Sequence, residues 1–264
     1  MREIAIIGIG AGDPDHLTLQ AIAAIQRIEV FFLLDKGPAK QDLVRLRTEI
    51  LRRHARQAYR LIEAPDPERD RAATAYPAAV EDWRRRRGDL YARLLSDELP
   101  DGGRGAFLVW GDPALYDSTL AVLDDLYTRQ VVEFEYQVVP GISAVAALTA
   151  RHRITLNRIG RPVQITTGRR LADEGFPPGV DDLVVMLDAH CTFTRFTAAD
   201  RIDIYWGAYL GTPDELLLAG PVHEIADQIV TTRATARARK GWIMDTYLLR
   251  RTIGQATGQQ ARDD

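Results

Sequence analysis

The residues best placed for chemistry are carboxylates at the ends of apolar runs. Asp112 lies within Val109-Trp110-Gly111-Asp112-Pro113-Ala114-Leu115-Tyr116, and Asp35 closes the run Glu29 to Leu34. Carboxyl ends of strands are where open α/β sheets bind ligands, so both lie where a ligand would sit. Tyr116 and His190 are further side chains able to exchange protons. Each has a plainer role beside it. Asp112 could cap a helix with Pro113 at its first position, Asp35 could form a turn, Tyr116 could be a core aromatic and His190 a surface loop residue. The five histidines are scattered with none paired at helical spacing, so no metal is expected. The single cysteine, Cys191, allows no internal disulfide and fits a reducing compartment.

Three segments must position these groups. The first, Ile4-Ala5-Ile6-Ile7-Gly8-Ile9-Gly10-Ala11-Gly12-Asp13-Pro14, reads as a strand running into a bare-backbone loop. Thr18 then caps a helix with apolar positions at Ala21, Ile22, Ile25 and Ile28. The second carries Gly111 and Asp112, and is read as a strand turning straight into a helix. The third, Val138-Val139-Pro140-Gly141-Ile142-Ser143-Ala144, is another strand leading to a small-residue helix start. A dinucleotide fingerprint would need glycine where Asp13 stands, and a carboxylate there repels a pyrophosphate. A nicotinamide oxidoreductase is disfavoured for that reason, with Asp35 the only acidic residue that could serve as its ribose partner.

With Gly8 to Pro14 and Leu17-Thr18, Gly111 to Tyr116, and Pro140 to Ser143 in this order, the sequence resembles the tetrapyrrole (precorrin) methyltransferase family. The likeness extends to Leu183–Leu187 and to Tyr209–Glu215. It implies a tetrapyrrole methylase-like (class III methyltransferase) α/β fold of two αβα domains. It also implies a C-methyltransferase of cobalamin (corrin ring) biosynthesis that uses S-adenosyl-L-methionine, acts on a precorrin and works as a cytoplasmic homodimer. Carried over position by position, the cofactor contacts are Ala11, Trp110, Gly111, Asp112, Leu115, Ser143, Ala144, Leu187 and Leu210. Ala11 stands where many relatives have proline, Trp110 where many have glycine, and Leu187 where methionine is common. Methyl transfer from a sulfonium needs alignment and exclusion of water more than it needs side chains, which suits glycine-rich loops. The resemblance further implies hydrolytic release of a two-carbon unit as acetate, for which Asp112 and Asp35 are the candidate bases that would activate water, Tyr116 is the candidate donor to the oxyanion and His190 is a further possible base. Another methyltransferase of the family and a non-catalytic tetrapyrrole-binding module are the remaining alternatives.

At 264 residues with 46% hydrophobic content, the chain can fill two ordinary cores. Its net charge of -3 argues against a general nucleic-acid-binding surface. No apolar run approaches a membrane span, and Met1-Arg2-Glu3 leads into a strand and not a secretory signal. Alternating strands and helices predict mostly parallel sheets. Residues 1–157 are expected to form an N-terminal α/β domain with an Arg-rich helical insertion from Gln41 to about Leu99, broken around Pro65-Asp66-Pro67, and 158–264 a second α/β domain. The insertion's arginines, Arg45, Arg47, Arg52, Arg53, Arg56 and Arg84 to Arg87, read first as solvated helix faces, although the carboxylates of a precorrin would give them something to hold. The second half starts with Pro162–Thr166, and its strand-like runs are placed at Leu183–Leu187, Ile202–Trp206 and Trp242–Leu249, with a helix at Val222–Val230. The polar tail from Gly254 to Asp264 is expected to be disordered.

Overall fold

The computed structural model describes residues 1–35, 37, 41–55, 58–68 and 76–252, with the side chains of 41 and 76–78 left aside. Lys36, Pro38, Lys40, Arg56 and the tail from Gly254 lie outside the described residues. The chain forms two compact units, Met1–Ala144 and Val145–Asp264.

In the first unit the strands are β1 (Arg2–Gly8), β2 (Val30–Asp35), β3 (Arg60–Pro65), β4 (Arg104–Val109) and β5 (Phe134–Val139). The helices are α1 (Leu19–Ile25), α2 (Gln41–His54), α3 (Tyr76–Glu98) and α4 (Thr119–Thr128). The sheet runs β3-β2-β4-β1-β5, and every pairing in it is parallel. Alternation along the strands sends side chains to two cores, as a sheet covered on both faces requires. Ile4 and Ile6 of β1 and Phe107 of β4 join Tyr91, Leu95 and Leu123 from α3 and α4. Ala5, Ile7 and Leu108 join Ala21, Ile25, Ile50 and Leu51 from α1 and α2. Thr18 Oγ1 accepts from the Ala21 amide at 3.0 Å, so α1 starts where its cap predicts.

Two local expectations change. The insertion is not helical throughout: β3 lies between α2 and α3 and pairs with the edge of β2, Phe31 opposite Leu61 and Phe32 opposite Ile62. Leu61-Ile62 is too short an apolar run to declare its period, and the edge of β2 decides it. The second loop does not enter a helix at Pro113. Turn residues intervene, and α4 begins at Thr119.

In the second unit the strands are β6 (Val163–Thr167), β7 (Asp182–Met186), β8 (Ile202–Ala208), β9 (Leu216–Pro221) and β10 (Asp245–Arg251). Its helices are α5 (Ala144–His152), which begins at the junction, α6 (Gly168–Glu174) and α7 (Val222–Lys240). The order is β6-β7-β10-β8-β9. Only β6–β7 is parallel here; β7–β10, β10–β8 and β8–β9 are antiparallel. Five of the eight pairings among the described residues are therefore parallel, so the prediction of mostly parallel sheets holds overall while its exceptions gather in one sheet. β9 is a strand that the sequence reading missed, and Trp242 precedes β10 instead of opening it. Among the described residues no helix is long and apolar enough to cross a membrane.

Candidate active site

The three glycine loops come from neighbouring strands. Because β4, β1 and β5 are adjacent and parallel, Gly8, Gly111 and Gly141 all emerge at one edge of the sheet. There the main chains touch. Gly10 and Gly111 form an isolated bridge, with the Gly111 amide donating to the Gly10 carbonyl at 2.8 Å. A Cβ on Gly141 would lie 2.1 Å from the Gly111 carbonyl oxygen and 2.8 Å from Gly8 Cα, so no side chain fits at that position. Gly111 is required for a different reason. It has φ +71, which L-residues disfavour, although space surrounds it, the nearest atom being Ser143 Cα at 3.9 Å.

Asp112 ties two of these loops together. One carboxylate oxygen accepts from the Ala114 amide at 2.8 Å and the other from the Gly141 amide at 2.9 Å. It is not a helix cap, since α4 starts seven residues later and has Ser118 before it. The Gly141 amide that it holds is 29 residues away, a partner that local sequence patterns do not announce. Ala11 is buried beside the bridge, Trp110 and Leu115 are half-buried, and Gly111 approaches Ser143 and Ala144. Tyr116 also has positive φ, at +52, and its side chain is exposed rather than in a core. Asp35 ends β2, which neighbours β4, so it emerges at the same edge; one of its oxygens accepts from the Gly37 amide at 2.9 Å.

The remaining predicted residues belong to the second unit. Leu187 directly follows β7 with φ +55 and a side chain 65% exposed, a costly arrangement for an apolar residue in both respects. Its neighbour explains how it is held. Asp188 is buried and accepts from the amides of His190 (3.0 Å) and Thr192 (2.6 Å), the Thr192 hydroxyl (3.0 Å) and the Tyr247 hydroxyl (2.7 Å). Burial beside this carboxylate pushes the Tyr247 phenol well above its usual range, so it stays a donor. Arg233 continues the network, donating to the Asp188 carbonyl at 2.9 Å and pairing with buried Asp245 at 2.9 Å. Sequence reasoning missed Asp188, although a carboxylate directly after an apolar run is the signal that had flagged Asp35 and Asp112. His190 is exposed. Leu210 is buried and packs where Gly207 leaves space for it.

The arrangement is a cradle of main-chain groups at a strand edge, suited to laying an extended ligand against amides and carbonyls. The sequence profile of the tetrapyrrole (corrin/porphyrin) methylases matches residues 3–226. This chain belongs to that family. It is 48% identical over 252 residues to a precorrin-6A synthase [deacetylating] of Sinorhizobium sp, covering 95% of this chain and 96% of that one. Among solved structures, a cobalamin synthesis related protein (CobF) of Corynebacterium diphtheriae superposes with a TM-score of 0.79 at 38% identity, over 95% of this chain and 98% of its own. A uroporphyrin-III C-methyltransferase of Thermus thermophilus, complexed with S-adenosyl homocysteine, shares the fold at 18% identity and a TM-score of 0.56, over 94% and 96% of the two chains. The methylase family uses S-adenosylmethionine, and the present chain is a methyltransferase by membership.

Proposed function

We propose that this chain transfers a methyl group from S-adenosyl-L-methionine to C-1 of precorrin-5 and releases acetate, giving precorrin-6A. The observation that carries this reading is the 48% identity to a precorrin-6A synthase [deacetylating] along nearly the whole of both chains. The loop geometry supports it. Two halves of chemistry are required. In the first, the electron-rich ring carbon displaces S-adenosylhomocysteine from the methyl carbon, a step that needs alignment and a dry site. In the second, water adds to the carbonyl carbon of the extruded acetyl unit; the carbon–carbon bond to the ring breaks with its electron pair passing into the conjugated ring system, and acetate leaves.

For the first half, Ala11, Trp110, Gly111, Asp112, Leu115, Ser143 and Ala144 hold the cofactor. Asp112 contributes mainly by keeping the second and third loops in register, since both its oxygens already accept main-chain hydrogen bonds. For the second half, Asp35 is the better base of the two aspartates because, among the described residues, only one of its oxygens takes a main-chain amide. Tyr116, an exposed residue on the second loop, steadies the oxyanion. The enzyme works as a cytoplasmic homodimer on this reading.

The test is to incubate the purified protein with S-adenosylmethionine and enzymatically generated precorrin-5, follow the tetrapyrrole by mass spectrometry and assay free acetate. Gain of one methyl with loss of the acetyl unit is the expected result. Methylation without acetate would assign the chain to another precorrin step. Binding of neither cofactor nor tetrapyrrole would refute the site.

A further inference from the structure

The arginines of α2 divide into two kinds. Arg45, Arg52 and Arg53 pair with Asp42 or Glu49 on their own helix, as arginines on a solvated face do. Arg47 turns inward. Its Nε donates to the Leu108 carbonyl at 3.0 Å and one terminal nitrogen to the Leu43 carbonyl at 2.9 Å. Both acceptors are neutral. Among the described residues no carboxylate lies within 4.0 Å of this guanidinium, and its other terminal nitrogen donates to no protein group. Burial lowers its pKa to about 10, with Asp117 opposing the shift from further away, so the group remains a cation at neutral pH. Asp117 is itself engaged, accepting from the Thr119 amide at 2.6 Å.

A half-buried cation that touches no carboxylate among the described residues is unusual, and its position gives the reason. Leu108 is the penultimate residue of β4, and Trp110-Gly111-Asp112 follow immediately. The charge is thus pinned at the carboxyl edge of the parallel sheet, the side at which such sheets take ligands. Two carbonyls fix the guanidinium plane, so little freedom is lost when the remaining N–H groups engage a planar anion. We infer that Arg47 binds a side-chain carboxylate of the tetrapyrrole, making it a specificity-determining residue contributed by the helical insertion. The inference rests on the precorrin reading of the substrate given above.

Arg47→Met keeps the stem and removes the charge, while Arg47→Lys keeps the charge and loses the fork. For each variant the KM for precorrin-5, the kcat and the dissociation constant for S-adenosylhomocysteine would be measured. Loss of one charge-assisted contact predicts that Arg47→Met raises KM by about 10- to 100-fold while cofactor affinity stays within about twofold. Arg47→Lys should raise KM less, and should supply the comparison if Arg47→Met fails to fold. An unchanged KM in a folded variant overturns the inference. An equal loss of affinity for cofactor and tetrapyrrole also overturns it, because Arg47 would then be supporting the loop and not the substrate. Wild-type protein that binds S-adenosylhomocysteine but does not turn over precorrin-5 removes the substrate reading and this inference together, and is told apart by that control alone.

Discussion

Replacing Gly141 with alanine should damage this protein far more than replacing Gly111, although both glycines lie in the loops at one sheet edge. At Gly141 the added carbon would meet main chain on two sides, 2.1 Å from the Gly111 oxygen and 2.8 Å from Gly8 Cα. Relief requires β5 to part from β1, to which it is paired up to Ile7 opposite Val139. Overpacking of this kind costs about 1–3 kcal/mol where side chains can yield; with only backbone to move, the upper end applies. Displacement also breaks the hydrogen bond from the Gly141 amide to Asp112, for a further ~1.5–3 kcal/mol. A loss of roughly 4–6 kcal/mol corresponds to a fall in Tm of roughly 8–24 °C for a domain of this size. At Gly111 there is space, and the cost is that of φ +71 alone, about 1–2 kcal/mol and roughly 2–8 °C. Thermal unfolding followed by circular dichroism would rank the two, with calorimetric titration of S-adenosylhomocysteine reporting the site. A Gly141→Ala protein that melts within a degree of wild type, or a Gly111→Ala protein that melts lower than it, would refute the argument from close backbone approach.

Leu187→Gly relieves about 1–2 kcal/mol of left-handed strain at the cost of up to about 1 kcal/mol in chain entropy, so Tm should hold or rise slightly. Scanning calorimetry of the variant beside the wild type reads the change. Arg233→Met leaves Asp245 buried with the Trp206 indole, 3.0 Å away, as its remaining side-chain donor; a loss of about 3–5 kcal/mol is expected in denaturant unfolding. The half-buried His152 ring, 3.0 Å from the Trp206 carbonyl, has its pKa lowered by desolvation. With a folded pKa below the unfolded value of about 6.5, His152 exerts no penalty above that pH and an increasing one as pH falls through the folded pKa. His152→Gln should therefore flatten the decline of Tm on the acid side of pH 6.5.

The loops and the strands feeding them were legible because their signals are local: Gly8, Gly111 and Gly141 each follow an apolar run, and Thr18 precedes a helical period. β3 and β9 were not, since Leu61-Ile62 and Leu216-Leu217-Leu218 are short apolar runs that suit a strand or a buried helical turn equally, and a neighbouring strand edge settles them. The direction of pairing in the second sheet was hidden for a related reason, as side-chain pattern records which face is buried but not which way a neighbour runs. In the site, residue types were readable while their partners were not. Asp112 looked like a cap from its place before Pro113, and only its distant bond to Gly141 makes it a tie between loops. Arg47 is indistinguishable from Arg45 in sequence; two positions along α2 turn one toward solvent and the other toward β4.

The position of β10 has a consequence for how the protein is made. It is the last of the described strands in sequence, yet it sits in the middle of its sheet, bonded to β7 on one side and β8 on the other. On the ribosome the first unit has all its strands once residue 144 has emerged, whereas the β6–β7 and β8–β9 pairs face an empty lane until residues 245–251 arrive. At about 5–20 residues per second that wait lasts several seconds or longer, with two strand edges open to any other nascent copy. A transcript cut short within α7 would leave those edges open permanently. The second unit is closed by a keystone placed last, and its yield in the cell should depend on chaperones that shield strand edges during that interval.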